Sequence, residues 1–369
     1  MDSNIVKKYA NVLVKYCVNV KKDDLVVIRA TSNEATPLVK EVYKTVLELG
    51  ANPVVRVSTD GLNEIFFKYA NDSQLEYIDP MTEIEYKKAD KMISIGAPKN
   101  LKEMARADHN KMAKRSKATK DLSNLLLKRS EEGTLNWVIA DYPTNALAQE
   151  ANMSLEGYSE FLINSCHLNV EDPVKKWEEI GKTQQKFVDY LNNNKSTIRL
   201  VGEKTDITFS IKGRKWINCC GLNNFPDGEI FTSPVENSAS GTVYFDFPQI
   251  YRGVEAKNIL LTFENGKVTS IKADHNEEYV KKMLNMDEGS SFVGEVAIGT
   301  NDMIQDITGN ILFDEKIGGS IHIALGASYP ETGGKNESGL HWDMIKNMKN
   351  GGKIYVDDEL IYENGRFII

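Results

Sequence analysis

Residues 24–57 read DLVVIRATSNEATPLVKEVYKTVLELGANPVVRV. The run LVVIRA, Leu25 to Ala30, has the apolar character of a strand buried on both faces of a parallel sheet. After it, Leu38, Val39, Val42, Val46 and Leu47 recur at helical spacing, and Gly50 closes the stripe where a left-handed cap costs glycine little. PVVRV then repeats the strand. A strand, a helix and a second strand in this order define a βαβ unit, which in turn implies a parallel sheet. Working outward, Ile5, Tyr9, Val12, Leu13, Tyr16 and Cys17 form an amphipathic helical stripe before the first strand. KMISIG (91–96) and WVIAD (137–141) supply further strands. The expected N-terminal fold is therefore an open, mostly parallel α/β sheet. No G-x-G-x-x-G and no G-x-x-x-x-G-K-[ST] follows any of these strands, so no nucleotide-binding motif accompanies the sheet.

The chain has 369 residues, enough for two domains. A long helical stretch at 173–191 ends in the polar cluster Asn192-Asn193-Asn194-Lys195, and the pattern then changes to alternating runs such as TIRLVG, DITFSI and ILLTFENG. Asn265-Gly266 and Asn364-Gly365 read as hairpin turns, and 277–286 reads as a helix. The expectation is an α/β domain over 1–194 followed by a β-rich α+β domain over 195–369. Lys plus Arg total 45 against 53 Asp plus Glu, a formal charge of −8, which argues against nucleic acid as the main partner. The Lys/Arg-dense stretch at 99–129 reads as a solvated helix face. The N-terminal segment lacks a signal-peptide core and no run approaches a membrane span, so a cytoplasmic protein without a membrane segment is expected. Cys17, Cys166, Cys219 and Cys220 have neither zinc-ligand nor disulfide-framework spacing.

Only five histidines occur, and His322 and His341 share one short C-terminal stretch, GGSIHIALGASYPETGGKNESGLHWDM. In Ser320-Ile321-His322-Ile323-Ala324 the alternation turns His322 away from its isoleucine neighbours. In His341-Trp342-Asp343 an extended backbone aims His341 and Asp343 to one side, where they offer a nitrogen and an oxygen to a divalent ion. Two glutamates have unusual settings: Glu236, in FTSPVENSASG, and Glu295, in the apolar run GEVAIG. At Glu295 the sequence leaves two alternatives open, a solvent-facing strand end or a buried carboxylate that needs a cation. Residues 313–319, FDEKIGG, read as a turn supporting the His322 strand. His109, His167 and His275 read as surface or capping residues, and adjacent Cys166 and His167 diverge on any regular backbone.

FPDGEIFTSPVENSASGTV, FVGEVAIGTN, TGNILFDEKIGGSIHIALGASYPETGG and LHWDM, in this order, resemble the aminopeptidase T / aminopeptidase S family of metallo-aminopeptidases. The resemblance implies two divalent ions, zinc, cobalt, manganese or magnesium, held by Glu236, Glu295, His322, Tyr329, His341 and Asp343. It implies hydrolysis of short peptides with a free N-terminus, and a homodimer. Glu295 is then expected to bridge the ions and Tyr329 to ligate or to donate a hydrogen bond to the reacting oxygen. Glu331 is a candidate general base, with a turn-stabilising role as the alternative. The connection between Tyr329 and His341 is shorter than in some relatives, which bears on the substrate pocket. Alternative readings are a dipeptidase or other two-metal amide hydrolase, and a non-catalytic peptide- or metal-binding protein.

Overall fold

The computed structural model describes residues 1–369, which divide into two units: Met1–Trp177 with Gly221–Pro226, and Glu178–Cys220 with Asp227–Ile369. The first unit is built on parallel strands β1 (Leu25–Ala30), β2 (Asn52–Val57), β3 (Lys91–Gly96) and β4 (Asn136–Asp141), in the order β2-β1-β3-β4. Asn224–Phe225 extends the sheet in parallel beyond β4. Val26, Val27 and Ile28 of β1 are fully buried, as a central strand covered on both faces requires, whereas the edge strand β2 is partly exposed. The N-terminal helix Ser3–Asn11 is capped by the Asp2 carboxylate and runs on as a π-helical stretch, Val12–Cys17, whose Val12, Leu13 and Val14 are fully buried.

The basic stretch forms the helix His109–Glu131, and several of its cations bind the unit's own carbonyl groups. The Lys111 ammonium donates to Ala70 O, Arg115 donates to Tyr77 O, and Arg129 donates to Tyr86 O. These side chains satisfy the carbonyls left over where shorter helices end. No helix of the chain is long and apolar enough to cross a membrane.

The second unit is antiparallel. One sheet has eight strands, from Lys267–Lys272 at one edge through Ile259–Glu264, Ser240–Phe245, Thr205–Ser210, Thr197–Gly202, Lys353–Val356 and Glu359–Glu363 to Arg366–Phe367. Asn265-Gly266 and Asn364-Gly365 make its tight turns with positive φ at both residues, the geometry that matches strand twist. The other sheet has five strands: β5 (Ile217–Cys219), β6 (Glu229–Thr232), β7 (Val293–Gly299), β8 (Ser320–Gly326) and β9 (His341–Asn347), in the order β9-β8-β7-β6-β5. Ile230, Val296, Ile298, Ile321, Ile323, Leu325, Trp342 and Met344 join Leu200, Phe209, Val243 and Phe263 of the larger sheet in one core. Each fully buried aliphatic side chain contributes about 2 kcal/mol. A one-residue slip would exchange this whole set for the residues between, so the register of the smaller sheet is fixed by its apolar face.

Candidate metal centre

The face of the five-stranded sheet opposite this core carries the chemistry. Cross-strand partners share a face, and the register pairs Glu229 with Gly299, Phe231 with Ala297, Ala297 with His322, Glu295 with Ala324, Ala324 with Asp343, and Gly326 with His341. Glu229, Glu295, His322, His341 and Asp343 therefore all project from one side of four adjacent strands. The small side chains of Ala297 and Ala324 lie between them and leave room above the sheet. A bulge at Gly294 shifts the register between Val293 and Glu295. A Cβ there would lie 2.2 Å from Ala327 O, so only glycine permits the close approach that aims Glu295 at this face.

The donor atoms converge. His322 Nε2 lies 3.5 Å from Glu295 Oε1, 3.5 Å from Glu229 Oε2 and 3.9 Å from Asp343 Oδ1. His341 Nε2 lies 3.3 Å from Glu295 Oε2 and 3.4 Å from Asp343 Oδ1, while its Nδ1 meets Ala327 O at 2.8 Å and so fixes the ring. Bonds of about 2.1 Å place the corners of a tetrahedral ligand set roughly 3.4 Å apart, the separation seen here. Glu229 Oε2, His322 Nδ1 and Asp343 Oδ1 are buried without a hydrogen-bond partner. Desolvated donors left unpaired are costly, and a divalent cation offsets that cost. Oxygen and imidazole donors suit zinc, cobalt, manganese or magnesium better than a thiophilic ion. The ligand atoms of Glu295, His322 and Asp343 lie within 4.8 Å of one another, and so do those of Glu229, Glu315 and His322. The residues present fit a divalent metal centre.

The protein's own charges compensate one another in part. Burial opposes the charged form of His322, yet Glu295 and Glu229 raise its pKa to about 9. Burial likewise opposes the charge of His341, but Asp343 and then Glu295 push it up to about 12. Burial works to raise the Glu295 carboxyl, and its contacts with His322 and His341 hold it below the usual glutamate range instead. Burial dominates at Glu229 and Glu315 and raises both carboxyls, with Lys316 opposing. The Lys316 ammonium is fully buried and bonds Glu229 Oε1 at 2.6 Å and Glu315 Oε1 at 2.5 Å, with Asp227 Oδ1 at 3.6 Å.

Of the residues expected from sequence, Glu295, His322, His341 and Asp343 come together. Tyr329 stands beside them, its ring edge-on to His341 at 5.2 Å and to Phe231 at 5.2 Å. Burial and the negative charge of Glu295 and Asp343 hold its phenol well above the usual tyrosine range, which leaves a neutral O–H donor. Glu236 does not join the cluster. Its carboxylate bonds Arg214 at 2.7 Å and accepts the Lys335 N–H at 2.7 Å, so its charge is answered by a buried guanidinium and by the 329–335 segment. Glu331 is exposed on the short Pro330–Thr332 turn, with no ion pair to the cluster. Sequence reasoning missed Glu229, which opens the apolar run EIF, the same signal that singles out Glu295. It also missed Glu315 and Lys316, because FDEKIGG reads locally as a turn, whereas both side chains turn into the acidic site.

A sheet face that gathers imidazole and carboxylate donors in this way defines a metal-dependent class of protein. Residues 2–367 match the family described as thermophilic metalloprotease (M29), and the chain belongs to it. It is accordingly a metal-dependent peptidase. It is 28% identical to Aminopeptidase 2 of Geobacillus stearothermophilus, over 95% of this chain and 90% of that one. To Aminopeptidase AmpS of Bacillus subtilis (strain 168) it is 26% identical, over 96% of this chain and 92% of that one. Among solved structures, wild-type AmpT from Thermus thermophilus superposes with a TM-score of 0.84 at 22% identity, covering 99% of both chains. A 2,5-dihydroxypyridine dioxygenase from Pseudomonas putida KT2440 shares the fold with a TM-score of 0.64 at 15% identity, covering 100% of this chain and 98% of that one.

Proposed function

We propose that the chain is a metallo-aminopeptidase that releases N-terminal residues from short peptides, with two divalent ions held on the five-stranded sheet. The observation that carries this reading is the convergence of Glu229, Glu295, His322, His341 and Asp343 on one buried face, with Glu229 Oε2 and Asp343 Oδ1 left without a hydrogen bond. Glu315 would add a carboxylate to the donor set, and Glu295, which faces both histidines, would be the carboxylate available to both ions. When bound, the ions supply Lewis acidity toward the scissile carbonyl and make a water more acidic. The protein supplies position and charge. Ala327 O orients His341, and the neutral Tyr329 O–H donates to the substrate carbonyl oxygen as negative charge develops there.

Glu331, exposed and without a contact to the cluster, gains no support as general base. The choice among zinc, cobalt, manganese and magnesium, the homodimer and the cytoplasmic location rest on the family resemblance and the donor chemistry. The test is hydrolysis of leucine anilide and of a free and an N-acetylated peptide by chelator-treated protein, with each metal restored in turn. Cleavage of only the free-amine substrates, abolished by chelation and recovered with metal, is the expected result. Equal cleavage of the acetylated peptide would indicate another amide hydrolase, and metal uptake without turnover a binding protein.

A further inference from the structure

The two halves of the acidic site differ in one respect that the ligand geometry leaves unexplained. On the Glu295, His341 and Asp343 side the only partners are carboxylates and imidazoles. On the Glu229 and Glu315 side a lysine is already in place. Lys316 has no exposed surface, and its Nζ holds one oxygen of Glu229 at 2.6 Å and one oxygen of Glu315 at 2.5 Å, with Asp227 at 3.6 Å. Those two glutamates are the carboxylate members of the group they form with His322. Glu229 keeps Oε2 free of hydrogen bonds and turned to His322, so it retains one oxygen to offer there, while Oε1 is committed to the ammonium. A divalent ion entering this side meets fewer uncommitted oxygens and a fixed positive charge beyond them. On the other side no carboxylate oxygen is bonded to Lys316, whose charge reaches Asp343 only at longer range.

We infer that Lys316 is a resident cation of the metal centre, a positioning residue that holds Glu229 and Glu315 and makes the two divalent-ion positions unequal. The Glu295–His341–Asp343 position fills first and tightly. The Glu229–Glu315–His322 position fills second and weakly, against the ammonium. Five site carboxylates, Asp227, Glu229, Glu295, Glu315 and Asp343, set against Lys316 leave four negative charges uncompensated when both imidazoles are neutral. One divalent ion halves that excess, so a second enters against a weaker attraction and beside the ammonium, which is the electrostatic origin of the inequality.

This inference rests on reading the cluster as a metal centre, and the experiment separates the two. Chelator-stripped full-length protein is titrated with manganese alone, and separately with zinc alone, and bound metal is measured by equilibrium dialysis with elemental analysis. The wild-type chain is expected to take up one equivalent, with the second requiring at least about tenfold more free metal. In Lys316→Met the second ion is expected to tighten by about tenfold or more, so that the two affinities approach one another, while circular dichroism confirms the fold. Lys316→Gln, a neutral polar side chain at the same place, gives the same reading if the methionine variant fails to fold. Two wild-type equivalents of closely similar affinity overturn the role of Lys316 and leave the peptidase reading standing. An unchanged affinity ratio in the folded neutral variants overturns it as well. Failure of the wild-type chain to retain any divalent ion overturns the metal centre itself, and the inference with it.

Discussion

Both units bury glutamates, and they treat them differently. In the first unit Glu85, on the helix Pro80–Lys88, is nearly inaccessible and sits between two guanidinium groups, Arg29 at 3.0 Å and Arg56 at 2.6 Å. Its charge is answered within the chain. In the second unit Glu229, Glu295 and Asp343 face one another and two histidines across strands, with one lysine among them. Folding alone leaves their charge in excess. Burial by itself therefore does not mark a functional carboxylate, and the sign and number of the charges around it do.

The sharpest way to break this contrast is to remove the carboxylate that both histidines face. Glu295→Ala is expected to abolish metal retention and to lower leucine-anilide hydrolysis by about three orders of magnitude or more, measured as initial rates alongside elemental analysis. The matching change in the first unit should behave oppositely. Glu85→Gln leaves Arg29 and Arg56 without their anion and is expected to cost about 1–3 kcal/mol in denaturant unfolding, with hydrolysis per folded molecule unchanged. A large loss of turnover in that variant would erase the distinction between the two glutamates.

The smallest effect concerns His167 in the first unit, which is kept neutral rather than paired. Burial, and then the positive charge of Lys176, lower its pKa from 6.5 to about 4. Between those values the unfolded chain binds more protons than the folded one, so stability is lost as pH falls from 6.5 toward 4. His167→Asn tolerates the residue's left-handed backbone, φ 52°, and should flatten that acid slope by roughly 1 kcal/mol after solvent screening, seen in melting curves at pH 7 and pH 4.5.

The sequence made the scaffold legible wherever local pattern carries the information. Parallel strands show as apolar runs because both faces are covered, and the two Asn-Gly turns show because few other residues accept their dihedral angles. The side that His322 takes, and the burial of Trp342 away from His341 and Asp343, follow from a period of two. Glu229 and Glu236 mark where that logic ends. They lie seven residues apart in FPDGEIFTSPVEN, and nothing local tells them apart. The difference is made by Arg214, which answers Glu236, and by the strand register that sets Glu229 opposite Gly299. Lys316 was hidden for the same reason: a lysine between a glutamate and an isoleucine in a glycine-rich turn looks solvated until the fold closes over it.

The donors hang from neighbouring rungs of one antiparallel ladder, whose strand spacing of roughly 4.8 Å is set by backbone hydrogen bonds. Tyr329 belongs instead to the connection between β8 and β9, anchored through its N–H to Ser233 Oγ and through Lys335 N–H to Glu236. Insertions or deletions in that connection after Tyr329 lengthen or shorten a loop outside the ladder and leave the rungs untouched. The cradle that gathers the donors and the segment that carries Tyr329 are thus separable parts of this architecture, and the second can change in length without rebuilding the first.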